Sequence, residues 1–168
     1  MRKLYSIALL ISISVVLCGC PWWSNVGLDE KPLIKIDPAL LGTWHDENYP
    51  GVETEVVFTK LNEQVYSVKA HVWDGDERYE DLVGKAWFSE VNKVKLLVLH
   101  DTKADSYWFA EISRFENEMS VTFLSASNKV QEFTSTAALR KYMESLYASK
   151  KIKYDGDAGL VKLKKETE

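Results

Sequence analysis

Apolar and polar residues alternate over short segments through most of the chain. In one such segment, 64–73, every second position is apolar: Tyr66, Val68, Ala70 and Val72. This period of two is typical of a strand with one buried face and one solvent-exposed face. Segments of this kind, rich in Val, Phe, Tyr and Trp and separated by turn residues, predict strands over 42–47, 53–61, 64–73, 78–91, 94–100, 106–115 and 119–125.

A helical spacing follows these seven segments. Apolar residues then recur three and four positions apart, which predicts one amphipathic helix ending near Ala148, with Ser135 or Thr136 as its N-cap. Its apolar stripe consists of Leu139, Tyr142, Met143, Leu146 and Tyr147. A turn over 155–159 and an apolar segment over 160–163 predict a final strand. The order of these elements favours a mainly β, antiparallel barrel or sandwich with one C-terminal helix before the last strand.

The first twenty residues show a third pattern, that of an export signal. Arg2 and Lys3 precede an uncharged, largely apolar stretch over 4–17, which is shorter than the roughly 20 residues of a spanning helix. The stretch ends in Leu17-Cys18-Gly19-Cys20, which resembles the lipobox of bacterial lipoproteins. That resemblance implies cleavage before Cys20 and attachment of acyl chains such as palmitate to Cys20. The alternatives are an ordinary secreted protein and a Cys-x-Cys metal or disulfide pair.

The lipobox divides the chain into a signal peptide over 1–19, a lipidated tether over 20–36 and a β-barrel domain over 37–168. In such lipoproteins an Asp directly after the cysteine commonly signals retention at the inner membrane. Because Pro21 stands there, we expect the outer membrane, with the domain facing the periplasm. Trp22 and Trp23 lie in the tether, and two interpretations remain open for them: contact with the membrane interface, or packing on the domain.

Leu41-Gly42-Thr43-Trp44, at the start of the first predicted strand, resembles the Gly-x-Trp motif of lipocalins and related calycin barrels. The resemblance implies an up-and-down barrel of eight strands over 37–168, closed at one end by Trp44. The arginine that packs on this tryptophan in the family cannot be assigned in the sequence. Aromatic residues are expected either to plug the lumen or to line a ligand cavity within it: Trp44, Phe58, Tyr66, Trp87, Phe109 and Phe123.

Composition and charge narrow the class of protein further. The 168 residues suit one globular domain, and a net charge of −4 with a pI near 5.5 argues against a nucleic-acid partner. Both cysteines fall within 18–20, so the mature domain has no thiol. Basic residues outnumber acidic ones after Met119, which fits either contact with anionic lipid or an ordinary solvated surface.

Candidate catalytic and metal-binding residues are few. His45-Asp46 and His100-Asp101 place carboxylates beside imidazoles, but adjacent strand residues point to opposite faces, which separates each pair. His71 stands alone. Asp155-Gly156-Asp157 starts like a calcium loop, but apolar and basic residues occupy its later ligand positions. The acidic segment 74–81 is expected to form a solvated hairpin, and the alternative is a surface that binds a cation-bearing partner. The sequence therefore predicts no enzyme, no metal site and no cofactor.

Two functions fit these features. The first is a membrane-anchored periplasmic lipoprotein whose lipocalin-like barrel binds a small apolar ligand. The alternative is a lipoprotein with a solid barrel that binds another envelope protein, as an assembly factor or inhibitor. The state of the lumen distinguishes them, because an eight-stranded barrel is either filled by side chains or holds one small ligand.

Overall fold

The alternating segments form antiparallel strands, and each of them pairs with the next along the chain. The computed structural model describes residues 22–46, 52–74, 77–128, 132–155 and 160–166. The predicted signal peptide, Cys20, Pro21, Gly156 and Asp157 lie outside these residues. The strands are β1 (Trp23–Ser24), β2 (Gly42–Asp46), β3 (Val52–Lys60), β4 (Tyr66–Asp74), β5 (Glu77–Val91), β6 (Val94–Asp101), β7 (Ser106–Phe115), β8 (Glu118–Phe123) and β9 (Leu160–Lys165).

Strands β2 to β9 close into an eight-stranded, up-and-down barrel. The ring closes where β9 pairs with both β8 and β2, with Leu163 opposite Asp46 and Met119. Closure matters because it pairs the edges that an open sheet would expose. This confirms the predicted fold class: a lipocalin-like barrel with one helix before its last strand.

Helix α1 (Thr136–Ala148) begins where the sequence predicts it. The Ser135 hydroxyl accepts a hydrogen bond from the Ala138 N–H at 3.2 Å, which satisfies one of the free donors of the first turn. Leu139 and Met143 of its apolar stripe are fully buried. The helix therefore packs through one face, and that face lies on the outside of the barrel beside β5.

Two apolar cores result, one on each side of the barrel wall. The lumen core fills part of the interior, and it consists of Leu40, Trp44, Phe58, Tyr66, Val68, Ala86, Phe88, Leu97, Ala110, Met119, Val121 and Leu163. The outer core lies between α1 and the outside of β5, β6 and β7. It consists of Trp22, Leu28, Trp87, Val91, Leu96, Val98, Phe109, Leu124, Phe133, Leu139 and Met143.

Residues 22–36 lie against the barrel. The side chains of Trp22 and Leu28 are fully buried in the outer core, and the Ile36 N–H donates to the Glu63 carbonyl at 3.0 Å. The short strand β1 pairs with β7, with Trp23 opposite Trp108. Of the two interpretations of the tryptophan pair, packing on the domain describes Trp22, whereas Trp23 is 50% exposed.

Candidate functional site

One end of the barrel is closed by Trp44, as the Gly-x-Trp resemblance implies. The indole N–H of Trp44 donates to the Leu40 carbonyl at 2.9 Å, and the ring is fully buried. Gly42 has a φ of 121°, a backbone conformation that residues with a side chain rarely adopt. A Cβ there would also lie 3.0 Å from Cε of Lys165. The motif therefore requires glycine at position 42 for its backbone conformation and tryptophan at position 44 for its packing.

Lys165 packs on this tryptophan, and the sequence did not identify it. Its Nζ lies 5.6 Å from the centre of the Trp44 ring and donates to the Ala39 carbonyl at 3.2 Å. A cation over an indole face is attracted by the ring's electrons. Lys165 comes from β9, about 120 residues along the chain, so only the closure of the barrel brings it to Trp44.

Tyr66 completes the closed end by joining β4 to the segment before β2. Its hydroxyl accepts from the Asp37 N–H at 2.6 Å and donates to the Asp37 carbonyl at 3.0 Å. Burial raises the pKa of Tyr66 to about 12. The phenol is therefore neutral at physiological pH and keeps its proton for the carbonyl. With Phe58 and Phe88 packed edge-on against its ring, this half of the lumen is filled.

The other half of the lumen contains a cavity of about 170 Å³. It lies beyond Phe58 and Leu163, toward the end of the barrel at which β2 ends and β3 begins. Among the described residues that line it, Thr54 is the one polar member; the apolar members are Val56, Phe58, Val68, Ala70, Leu82, Leu97, Leu99, Trp108, Val121, Phe123, Val161 and Leu163. The volume is close to that of a cavity of about 150 Å³ that binds benzene.

The aromatic residues expected in the lumen divide into two groups. Trp44, Phe58 and Tyr66 belong to the lumen core, and Phe123 lines the cavity. Trp87 and Phe109 were assigned to the lumen, and that assignment is wrong, because both belong to the outer core beneath α1. Their neighbours Ala86, Phe88 and Ala110 point inward instead. Large rings therefore lie on both sides of the barrel wall, Trp87 and Phe109 toward α1 and Phe88 toward the lumen.

The three histidines lie apart in the structure. His45 on β2 has its Nε2 4.0 Å from Glu166, and His71 on β4 lies beside Trp73, with ring centres 5.6 Å apart. His100 stacks on Tyr107 with ring centres 4.2 Å apart and bonds to Asp105 at 3.0 Å.

Asp101, the neighbour of His100, does not pair with it. The Asp101 carboxylate instead accepts the N–H groups of Lys103 and Ala104 in the β6–β7 turn. Among the residues the structure describes, no group of three or more His, Cys, Asp or Glu could hold a metal ion.

Two polar clusters hold the outer layer in place. Arg140 of α1 donates to the carbonyls of Leu28 and Glu90 at 3.2 and 2.8 Å and to the Ser89 hydroxyl at 3.1 Å. It also forms an ion pair with Asp29. One side chain thereby joins the helix, the N-terminal segment and β5.

The second cluster is centred on Glu111 of β7. Its Oε1 accepts hydrogen bonds from Tyr147 at 3.0 Å and from Tyr154 at 2.6 Å. Burial, followed by the nearby Glu111 carboxylate, raises the pKa of Tyr147, and burial raises that of Tyr154 to about 12. Both phenols therefore remain donors at physiological pH. They join the end of α1 and the segment after it to the barrel wall.

The remaining sequence candidates are placed as follows. Strands β4 and β5 pair across the acidic segment, with Asp74 opposite Glu77, so its predicted hairpin is confirmed. Asp155 is buried, and the rest of the calcium-like triplet lies outside the described residues. Within the described ranges, no helix has the length and apolar character to cross a bilayer.

Comparison with other proteins gives no further assignment. None of the family models, curated proteins or solved structures with which the chain was compared matches it. The class that the described residues define is a lipocalin-like barrel with a half-filled lumen and an apolar cavity.

Proposed function

We propose that this protein is an envelope lipoprotein whose barrel binds one small apolar molecule, or the apolar end of a larger amphiphile. The observation that supports binding is the cavity of about 170 Å³ with its almost wholly apolar lining. A cavity of this size and polarity binds hydrocarbon or aromatic groups, because burying apolar surface there is favourable and few hydrogen bonds are available to hold water. The volume and the apolar lining of the cavity therefore determine which class of ligand we expect.

Filling the cavity is expected to abolish binding. We expect Val56→Phe, which places a ring in the cavity, to exclude a probe of benzene size. Val57→Phe is the matched control, since Val57 is the next residue of β3 and lies on the opposite face of the strand. The measurement is fluorine NMR of fluorobenzene with the acylated protein in lipid nanodiscs, where bound probe gives a resonance separate from that of lipid-dissolved probe.

The bound resonance is expected with the unchanged protein and with Val57→Phe, and not with Val56→Phe. Circular dichroism checks that both variants fold. A resonance that survives in Val56→Phe would contradict the proposed site. Absence of the resonance from the unchanged protein would instead favour the second candidate, a barrel that binds another envelope protein. The filled half of the lumen and the exposed Leu33 and Phe115 are the observations in its favour.

Anchoring is proposed to depend on Cys20. Cys20→Ser is expected to abolish acyl labelling and to move the protein from the membrane pellet to the soluble fraction, or to leave an uncleaved precursor. The physical reason is that two or three acyl chains hold a protein on a bilayer, whereas one binds only marginally. Cys18→Ser is the control, because that residue leaves with the signal peptide. Acyl labelling that persists in Cys20→Ser, or a cleaved Cys20→Ser protein that still sediments with the membrane pellet, would refute the anchor.

The location proposed for the anchored protein is the periplasmic leaflet of the outer membrane, on the basis of Pro21 in place of an inner-membrane Asp. Separation of inner and outer membranes on a density gradient tests this location directly.

A further inference from the structure

The chain leaves very little length between the proposed lipid anchor and the folded barrel. The side chain of Trp22 is fully buried, and its backbone N–H donates to the Leu124 carbonyl at 2.7 Å. Only Pro21 separates it from Cys20. Two residue steps span at most about 7 Å even when fully extended. If acyl chains on Cys20 enter the bilayer, Trp22 must therefore lie at the lipid headgroups.

The part of the barrel next to Trp22 carries exposed side chains suited to that position. Trp22 bonds to Leu124, and Leu124 in turn pairs with Tyr154, so three chain segments lie side by side. On these segments Trp23 is 50% exposed on the face of the sheet that it shares with Trp108, and Tyr154 is 40% exposed on the opposite face, where it bonds to Glu111. Lys153 is exposed as well. We call these exposed residues of the neighbouring segments, Trp23, Lys153 and Tyr154, the β1 edge.

The chemistry of the β1 edge matches a bilayer surface. Tryptophan and tyrosine are enriched where membranes meet water, because their rings are apolar at one end and polar at the other. Lysine beside them is attracted to anionic headgroups. Trp23 is half-exposed directly beside Trp22, which the anchor holds at the lipid headgroups. Contact with lipid therefore explains the exposure of Trp23 without a protein partner.

We propose that the β1 edge contacts the lipid bilayer directly, so that the barrel is held against the membrane in one orientation rather than on a flexible tether. This inference rests on the proposed acylation of Cys20. Trp23 pairs with Trp108, which lines the cavity. The orientation therefore brings one wall of the cavity to the membrane surface.

Quenching of tryptophan fluorescence by brominated lipids tests this orientation. The acylated, full-length protein is reconstituted into vesicles of phosphatidylethanolamine and phosphatidylglycerol with brominated acyl chains. We expect quenching of the unchanged protein, and loss of the largest share of it in Trp23→Phe. Trp73→Phe is the matched control, because Trp73 lies on β4, three strands from β7 around the barrel. The quenched fraction is expected to be at least that of the unchanged protein, because Trp73→Phe removes a tryptophan that lipid does not quench.

Equal quenching in Trp23→Phe and Trp73→Phe, with Cys20 acylated, would overturn the contact and leave the lipoprotein proposal standing. Absence of acyl chains from Cys20 by mass spectrometry would overturn both proposals together. Quenching lost in Trp23→Phe alone supports the contact, and the two variants share the same chemical change, so altered tryptophan content does not explain the difference.

Discussion

Trp44→Ala is expected to lower the free energy of unfolding by about 3–5 kcal/mol, the usual cost of removing a large buried aromatic side chain. Trp44 is fully buried at the closed end of the lumen. The change leaves a cavity among apolar neighbours, removes the hydrogen bond to Leu40 and deprives Lys165 of the ring beneath its ammonium group. Urea unfolding followed by circular dichroism measures the effect as a lower midpoint.

The neighbouring residue provides the control for this change. His45 follows Trp44 on β2, and its side chain is 45% exposed, so His45→Ala is expected to change stability by about 0.5 kcal/mol or less. A destabilisation of similar size in both variants would show that β2 is generally sensitive, and would contradict the role assigned to Trp44. Because whole domains have only about 5–15 kcal/mol of stability, the loss in Trp44→Ala is a large fraction.

Trp22→Ala is expected to have a comparable effect on the outer core, also about 3–5 kcal/mol. The Trp22 ring lies 5.6 Å from that of Phe109, 6.5 Å from that of Phe133 and 6.3 Å from that of Tyr142. Its removal therefore loosens β1 and α1 from the barrel wall at once. Besides a lower urea midpoint, amide hydrogen exchange is expected to speed up in α1 first.

Two further variants test whether the effect of Trp22→Ala comes from the buried ring of Trp22. Trp23→Ala changes the adjacent but half-exposed tryptophan, and we expect a clearly smaller loss of stability. Trp22→Phe keeps an aromatic ring and removes the indole N–H, which has no hydrogen-bond partner among the described residues. Because an unsatisfied buried donor is itself unfavourable, its removal offsets part of the free energy that Trp22→Phe loses in packing. If Trp23→Ala proved as destabilising as Trp22→Ala, the distinction drawn between the two residues would be wrong.

Local sequence patterns predicted most of the secondary structure. The strand predicted over 106–115 has the observed limits, and the helix begins after Ser135 and ends at Ala148 as expected. Both depend on short-range physics: alternation along a pleated strand, a stripe on a helix and a hydroxyl that caps its first turn. The strand predicted over 119–125 runs over Glu118–Phe123 in the structure, and Leu124 after it donates to the Phe109 carbonyl and accepts from the backbone N–H of Trp22.

The outer core was not predicted, and the reason lies in the composition of β5 to β7. Segments 86–88 and 96–99 are apolar at every position, so both faces of these strands are buried. Because apolar and polar residues do not alternate in these segments, the sequence does not predict which of their side chains point into the barrel. The expectation that Trp87 and Phe109 lie in the lumen with the other aromatic residues is therefore wrong. A continuous apolar run in a barrel strand is the signal that a second layer covers it.

By itself the sequence determined the strands, the helix and its cap, the Gly-x-Trp start and the prediction of a lipid anchor at Cys20, because each is written in residues close together along the chain. Tertiary structure alone decided that Lys165 packs on Trp44, that α1 and Trp22 cover part of the outside of the barrel, and that described residues of the lumen line a cavity. These features depend on contacts between residues far apart in sequence, and such contacts exist only after the barrel closes.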